Sequence, residues 1–220
     1  LTQHVSLFVG INHTAAAPAV CSGATVGGGW RNTATDLVAA IGGGYRNTAN
    51  AIGSTIAGGE RNYVFAYNAA VGGGRDNSVK GTAAKYAVIA GGSFNSVTAE
   101  NAVIAGGHSN FVSGFRATVG GWWVNTASGS YSTITGGSNN VADGDGSTVS
   151  GGTANVGEWV GAGCAIAVAS SSKECAERVV GTPHSCRCGG GFGLGPRAGR
   201  LTAHTFVGAG LVPHQARALP

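Results

Sequence analysis

Arg31, Arg46 and Arg61 recur at intervals of fifteen residues, and two of them directly follow a large aromatic, Trp30 and Tyr45. Guanidinium groups held in a row repel one another, so such a stripe points to an anionic partner that would neutralise it. The aromatic rings offer flat faces on which sugar rings can stack. Trp123 repeats the aromatic position further along the chain, beside Trp122. The chemistry available here is recognition by charge and stacking. Each feature also has a plainer reading. Asp36, Glu60 and Asp76 stand close enough in the sequence to neutralise the stripe as a solvated face, and the aromatics can pack between neighbouring columns or over glycine corners.

Residues that could carry out a reaction are sparse. The chain has only nine acidic side chains in 220 residues, with no Gly-x-Ser-x-Gly elbow, phosphate loop or His-Glu-x-x-His pair. No catalytic residues, and therefore no enzyme, are expected. Asp143-Gly-Asp145 resembles part of a calcium loop but lacks its further carboxylates, and an ordinary turn is the simpler reading. His184, Cys186, Cys188 and Cys175 could ligate zinc, yet their spacing fits no standard finger and disulfides compete for the same thiols. No metal or cofactor is expected.

The elements that position these side chains follow from the period itself. Nine units begin at Ala24, Ala39, Ser54, Ala69, Ala87, Ala102, Ala117, Ser132 and Ser147. Place three is always Val or Ile, place five always Gly, and place six Gly except at Trp122. Place nine is always Asn: Asn32, Asn47, Asn62, Asn77, Asn95, Asn110, Asn125, Asn140 and Asn155. Place eleven is Ala or Val until Gly157. Compact residues at the odd places alternate with polar ones at places two, eight, ten and twelve, which is the signature of strands with one face turned inward. Gly-Gly supplies the positive φ of a tight corner, and the Asn amides can bond to their equivalents one coil away. Each unit therefore reads as strand, corner, short strand, corner, and the chain as an all-β parallel solenoid or β-roll. Nine coils at about 4.8 Å each make a rod of roughly 43 Å. The fourth unit is three residues longer, through Lys80–Lys85, and is expected to bulge from a corner.

Glycine makes up 41 of the 220 residues, and charged residues only 10%. A core of one Val or Ile and one Ala or Val per coil is narrow, so packing against other columns would stabilise it, and self-association is expected. Threonine at place two (Thr25, Thr55, Thr118, Thr133, Thr148) raises an ice-binding alternative, but Ala40, Ala70, Val88 and Val103 interrupt the ladder.

Segments such as Ala102-Val-Ile-Ala-Gly-Gly-His-Ser-Asn110 and Ser132-Thr-Ile-Thr-Gly-Gly-Ser-Asn-Asn140 resemble the head repeats of trimeric autotransporter adhesins, the YadA-like heads, and related tail-fibre-like repeats. The resemblance covers about residues 24–161. It implies a left-handed roll, a homotrimer, display on a bacterial surface or otherwise outside the cell, and attachment to a glycan or an extracellular-matrix protein. The period of fifteen departs from the fourteen or so common in those heads, and nothing here resembles their neck, stalk or anchor. A purely structural filament subunit is the alternative.

The boundaries expected are an imperfect first coil or cap over 1–23, the repeats over 24–161, and an irregular tail rich in Cys, Gly and Arg over 162–220. Residues 24–161 hold seven acidic and seven basic side chains, whereas 162–220 hold two and six, so the tail accounts for the net charge of +4. The neutral repeats give no reason to expect a nucleic acid as partner. No run of about eighteen apolar residues could insert in a bilayer, and the first residues do not read as a secretion signal.

Overall fold

A computed structural model of the chain describes residues 23–157, together with the backbone of Leu7–Phe8 and Ala165–Ile166. The cap and tail expected at the two ends, including the cysteine and histidine donors, otherwise lie outside the described residues. The described chain is all-β, without a helix, and winds as a parallel β-solenoid of about nine turns.

Each coil contributes two strands of two residues. Places two and three, from Thr25–Val26 to Thr148–Val149, build one sheet, and places ten and eleven, from Thr33–Ala34 to Val156–Gly157, build the other. Every strand pairs in parallel with its equivalent in the next coil, as Ala40↔Thr55 and Ile41↔Ile56 do in the first sheet. Thr48↔Tyr63 and Ala49↔Val64 are equivalent pairs in the second sheet. Leu7–Phe8 pairs with Thr25–Val26 before the first full unit. At the other end Ala165–Ile166 pairs with Thr148–Val149, beyond the residue 161 at which the repeats were expected to stop.

Between the sheets, place seven forms a third line of contact: Trp30, Tyr45, Glu60, Arg75, Ser93, His108, Trp123, Ser138 and Thr153 bridge in sequence. Equivalent places thereby stack coil upon coil, which is why a fifteen-residue period in sequence becomes a set of columns in space.

The core lies between the two sheets. Val or Ile at place three and Ala or Val at place eleven are fully buried along the rod, joined by the small residues of place one. The first corner explains the glycines. At place six they take φ between +85° and +95°. A Cβ on Gly44 would overlap the carbonyl oxygen of Gly59 in the next coil and approach Asn47 Nδ2 to 2.7 Å. The asparagines of place nine do not take positive φ. Place eight is left-handed instead, whatever its residue, with φ of 52–57° from Arg31 to Ala154. The side-chain amide of the following Asn is what makes this tolerable, because it closes the corner by hydrogen bonds.

The insertion sits at the second corner. Gly81, Thr82 and Ala83 are exposed, while Lys80 N–H still donates to Val97 and Tyr86 N–H to Tyr67, so the register on either side is kept.

Candidate functional site: two aromatic stretches on one edge

The Asn column is the frame on which the edge is built. Asn47 Nδ2 donates to the carbonyl of Gly43 in its own coil at 3.1 Å and to that of Gly59 in the next at 2.8 Å. Its Oδ1 accepts the backbone N–H of Asn62 at 3.0 Å and also the amide of that residue at 3.1 Å. The pattern recurs from Asn32 to Asn140, each of them buried, and Asn155 extends it half-buried. Only a side chain with a donor end and an acceptor end satisfies this geometry. A carboxylate would face two carbonyls, and an aliphatic side chain would leave the Asn62 N–H and the Gly43 carbonyl unpaired, the Gly59 carbonyl keeping the N–H of Tyr45.

Places seven and eight stand immediately before this frame and therefore project as a rigid edge. In the first coils Trp30 and Tyr45 lie with ring centroids 5.4 Å apart. Arg31 places its guanidinium 4.8 Å from the Trp30 ring centre, and Arg46 lies 5.0 Å from that of Tyr45. These two arginines are exposed and rest on aromatic faces, an arrangement that keeps the charge available to an anion while restricting the side chain.

Arg61 behaves differently from its two equivalents. Its Nε and Nη2 donate to the carboxylate of Asp76 at 2.9 and 3.2 Å, and Glu60 lies 3.5 Å from Nη2. The hydrogen bond and charge of Asp76 hold the Arg61 guanidinium above its usual range. Arg75 reaches the same carboxylate at 3.3 Å. Asp36, expected to help neutralise the stripe, instead accepts the N–H of Leu37 at 2.7 Å and shapes the second corner. The stripe thus comprises two arginines on aromatic rings, followed by a neutralised cluster.

Trp123 lies five coils beyond Tyr45, apart from Trp30 and Tyr45. It stacks on His108 with ring centres 4.3 Å apart and planes 18° from parallel. His108 meets Phe94 edge-on at 5.3 Å, and Arg75 caps Phe94 at 5.2 Å. Ser93 Oγ and His108 Nδ1 share a hydrogen bond of 2.8 Å. This continuous stack was not foreseen from the sequence, because Phe94 stands at place eight and the others at place seven. The pairings that fix coil against coil were needed to see it.

A second aromatic and apolar ridge runs along the other corner, where Tyr67 meets Tyr86 edge-on at 5.9 Å and Phe115 meets Tyr131 at 5.5 Å. The signal in the sequence was Leu37, Ile52, Tyr67 and Phe115 at place fourteen, with Tyr86 and Tyr131 closing their units. Asp145, from the fragment resembling a calcium loop, accepts the N–H of Ser130 in the preceding coil at 2.8 Å, as a turn residue does.

Charge is segregated around the rod. In all nine units places one to six carry no charged residue, and every acid and base of the repeats falls at place seven or later. The sheet formed by places two and three accordingly presents Thr, Ala and Val at place two and Gly, Ala, Thr or Ser at place four along its whole length.

No protein-family model matches this chain, and a search of curated proteins finds no match to it.

Proposed function

We propose that this chain is an extracellular structural and adhesive module, the repeat head or fibre of a bacterial surface adhesin, which attaches by many weak contacts along a rigid rod. The observation that carries this reading is the strict register of the place seven and eight columns, which sets charged groups over the first four coils, and aromatic rings over several coils, at one fixed position per coil on one edge. Contacts repeated at fixed spacing add as avidity where the partner presents its sites at a compatible spacing. A glycan or a matrix protein meets that condition. Trp30, Tyr45, Arg31 and Arg46 would engage an anionic stretch of it, Arg61 would contribute less because Asp76 holds it, and Trp123 would stack with a separate part.

Self-association is the second half of the proposal. A narrow core gains from being covered, and the uncharged face of places one to six can meet a second copy without burying a charge. The same face favours the runner-up, a purely structural filament subunit that uses no ligand.

Light scattering on the purified chain, joined to binding on a glycan and matrix-protein array, tests both. The expected result is a trimer or larger polymer that binds at least one class of ligand. A folded monomer at micromolar concentration contradicts self-association. Polymers visible by electron microscopy with no ligand bound favour the filament subunit, and thermal hysteresis on freezing without binding favours an ice-binding solenoid.

A further inference from the structure

Trp122 stands at place six, where the other eight units have glycine. It has φ of 71°, a conformation that a bulky residue adopts only at a cost, and two residues on the β-branched Val124 is also left-handed at 52°. The corner shows the effect. Trp123 N–H reaches the Gly137 carbonyl at 3.3 Å, whereas the equivalent bonds of Tyr45 and Ser93 measure 2.9 Å. Burial does not compensate at Trp122, which is 74% exposed, and Trp123 stays 53% exposed although it stacks on His108. The corner at Trp122 thus carries the two most exposed of the three described tryptophans.

The surroundings specify a ligand. From Ser93 to Thr153 the place seven and eight columns hold Ser, Phe, His, Trp, Val, Asn, Thr and Ala, with no acid or arginine, unlike the same columns from Trp30 to Asp76. Flat rings are flanked by hydroxyl and amide groups: Ser138 and Thr153 hydroxyls lie 3.4 Å apart, and Asn139 is exposed beside them. The Trp122 indole leans along the rod, with Cδ1 3.6 Å from the point where a Cβ on Gly136 would stand. Apolar faces bordered by neutral donors and acceptors match a pyranose, whose ring presents C–H bonds on its faces and hydroxyls at its edge. One coil advances by about 4.8 Å, close to one sugar unit of an extended chain.

We infer that Trp122 and Trp123, with His108 and Asn139 beside them, form a binding site for a neutral, β-linked pyranose chain lying along the rod, separate from the cationic stretch at Arg31 and Arg46. The inference rests on the adhesive reading above and adds a ligand class to it. The backbone strain at Trp122 is retained because its indole is used.

The test is calorimetric titration of the full chain with cellohexaose and with chitohexaose, heparin serving as the anionic comparison, alongside thermal unfolding. Trp122→Gly restores the residue of the other units, so it is expected to raise the melting midpoint by about 3–6 °C while weakening hexasaccharide binding at least about tenfold. Trp123→Ser, which installs the residue of Ser93 and Ser138, is expected to weaken the same binding and leave heparin binding unchanged. Binding of only one of the two hexasaccharides supports the site and identifies its sugar. A Trp122→Gly variant that melts lower, or that binds as the native chain does, overturns the inference. Heparin bound with neither hexasaccharide bound also overturns it while leaving the adhesive reading intact, and binding of none of the three overturns it and leaves the adhesive reading to the matrix-protein array.

Discussion

The side-chain oxygen of Asn95 accepts the backbone N–H of Asn110 at 3.0 Å, so each coil is fastened to the next through the side chain of the coil before it. The same Asn95 sends its Nδ2 to the carbonyls of Gly91 and Gly107, both at 3.0 Å. A fully bonded buried amide of this kind differs from a surface asparagine in what its loss exposes.

Replacing Asn95 with Ala is therefore expected to destabilise the rod by about 1–3 kcal/mol, because the buried N–H of Asn110 and the carbonyl of Gly91 lose their partner, while the Gly107 carbonyl keeps the N–H of Ser93. Ser93→Ala, two residues earlier on the half-exposed edge, is expected to stay within about 0.5 kcal/mol of the native chain. Urea unfolding of both variants makes the comparison. Equal tolerance at the two positions would contradict the role given to the amide.

Ser132 and Ser147 occupy place one, which is Ala in six other units, and their buried hydroxyls have no hydrogen-bond partner. Ser54, at the same place, differs in that its Oγ accepts the Ala51 N–H at 3.3 Å. Ser132→Ala and Ser147→Ala are each expected to stabilise by about 1 kcal/mol, and Ser54→Ala to give no gain. Denaturation midpoints measured side by side decide it, and a loss of stability in the first two would mean that the hydroxyls are satisfied in solution.

Glycines at neighbouring places should respond differently. Gly44→Ala forces a Cβ against the Gly59 carbonyl at φ of 95°, and a cost above about 2 kcal/mol is expected. Gly58, at place five, has open space within 4 Å of an added Cβ, so Gly58→Ala should cost less than about 1 kcal/mol. Thermal melts of the pair would show the contrast directly.

Freeing Arg61 should strengthen attraction to anions. Asp76→Asn removes the carboxylate that Arg61 and Arg75 share, and the variant is expected to elute from a heparin column at higher salt than Asp143→Asn, which makes the same change in net charge elsewhere. Removing Arg31 and Arg46 together should lower the eluting salt. Matching elution of the two Asp→Asn variants would show that Arg61 is already available.

The solenoid was legible because its cause recurs nine times. Val26, Ile41 and Ile56 fall into one buried column for the same reason that Asn32, Asn47 and Asn62 do, and a fixed period needs only one coil to be read correctly. The left-handed turn at place eight was not legible, since Arg31, Asp76, Phe94, Ser109, Val124 and Ala154 share a backbone conformation and nothing in their side chains. Geometry there is imposed by the glycine before and the asparagine after, so composition at the position itself is silent. Asp76 was read as able to neutralise the stripe, and the structure singles out Arg61 as the arginine whose Nε and Nη2 it accepts. The two are fifteen residues apart in equivalent places, and of the acids near the arginines only Asp76 occupies the column itself. The exceptional residue at place six was visible as Trp122, but its meaning depended on knowing that the place requires a positive φ.

The three added residues between Lys80 and Lys85 lengthen the chain without lengthening the rod. Seventy-eight residues separate Tyr45 from Trp123, yet the two stand five coils apart, about 24 Å, as they would without the insertion. Distance along this molecule is counted in turns, so the second corner works as a splice point: foreign segments could be grafted at Thr82 and leave the spacing of every group above and below them untouched.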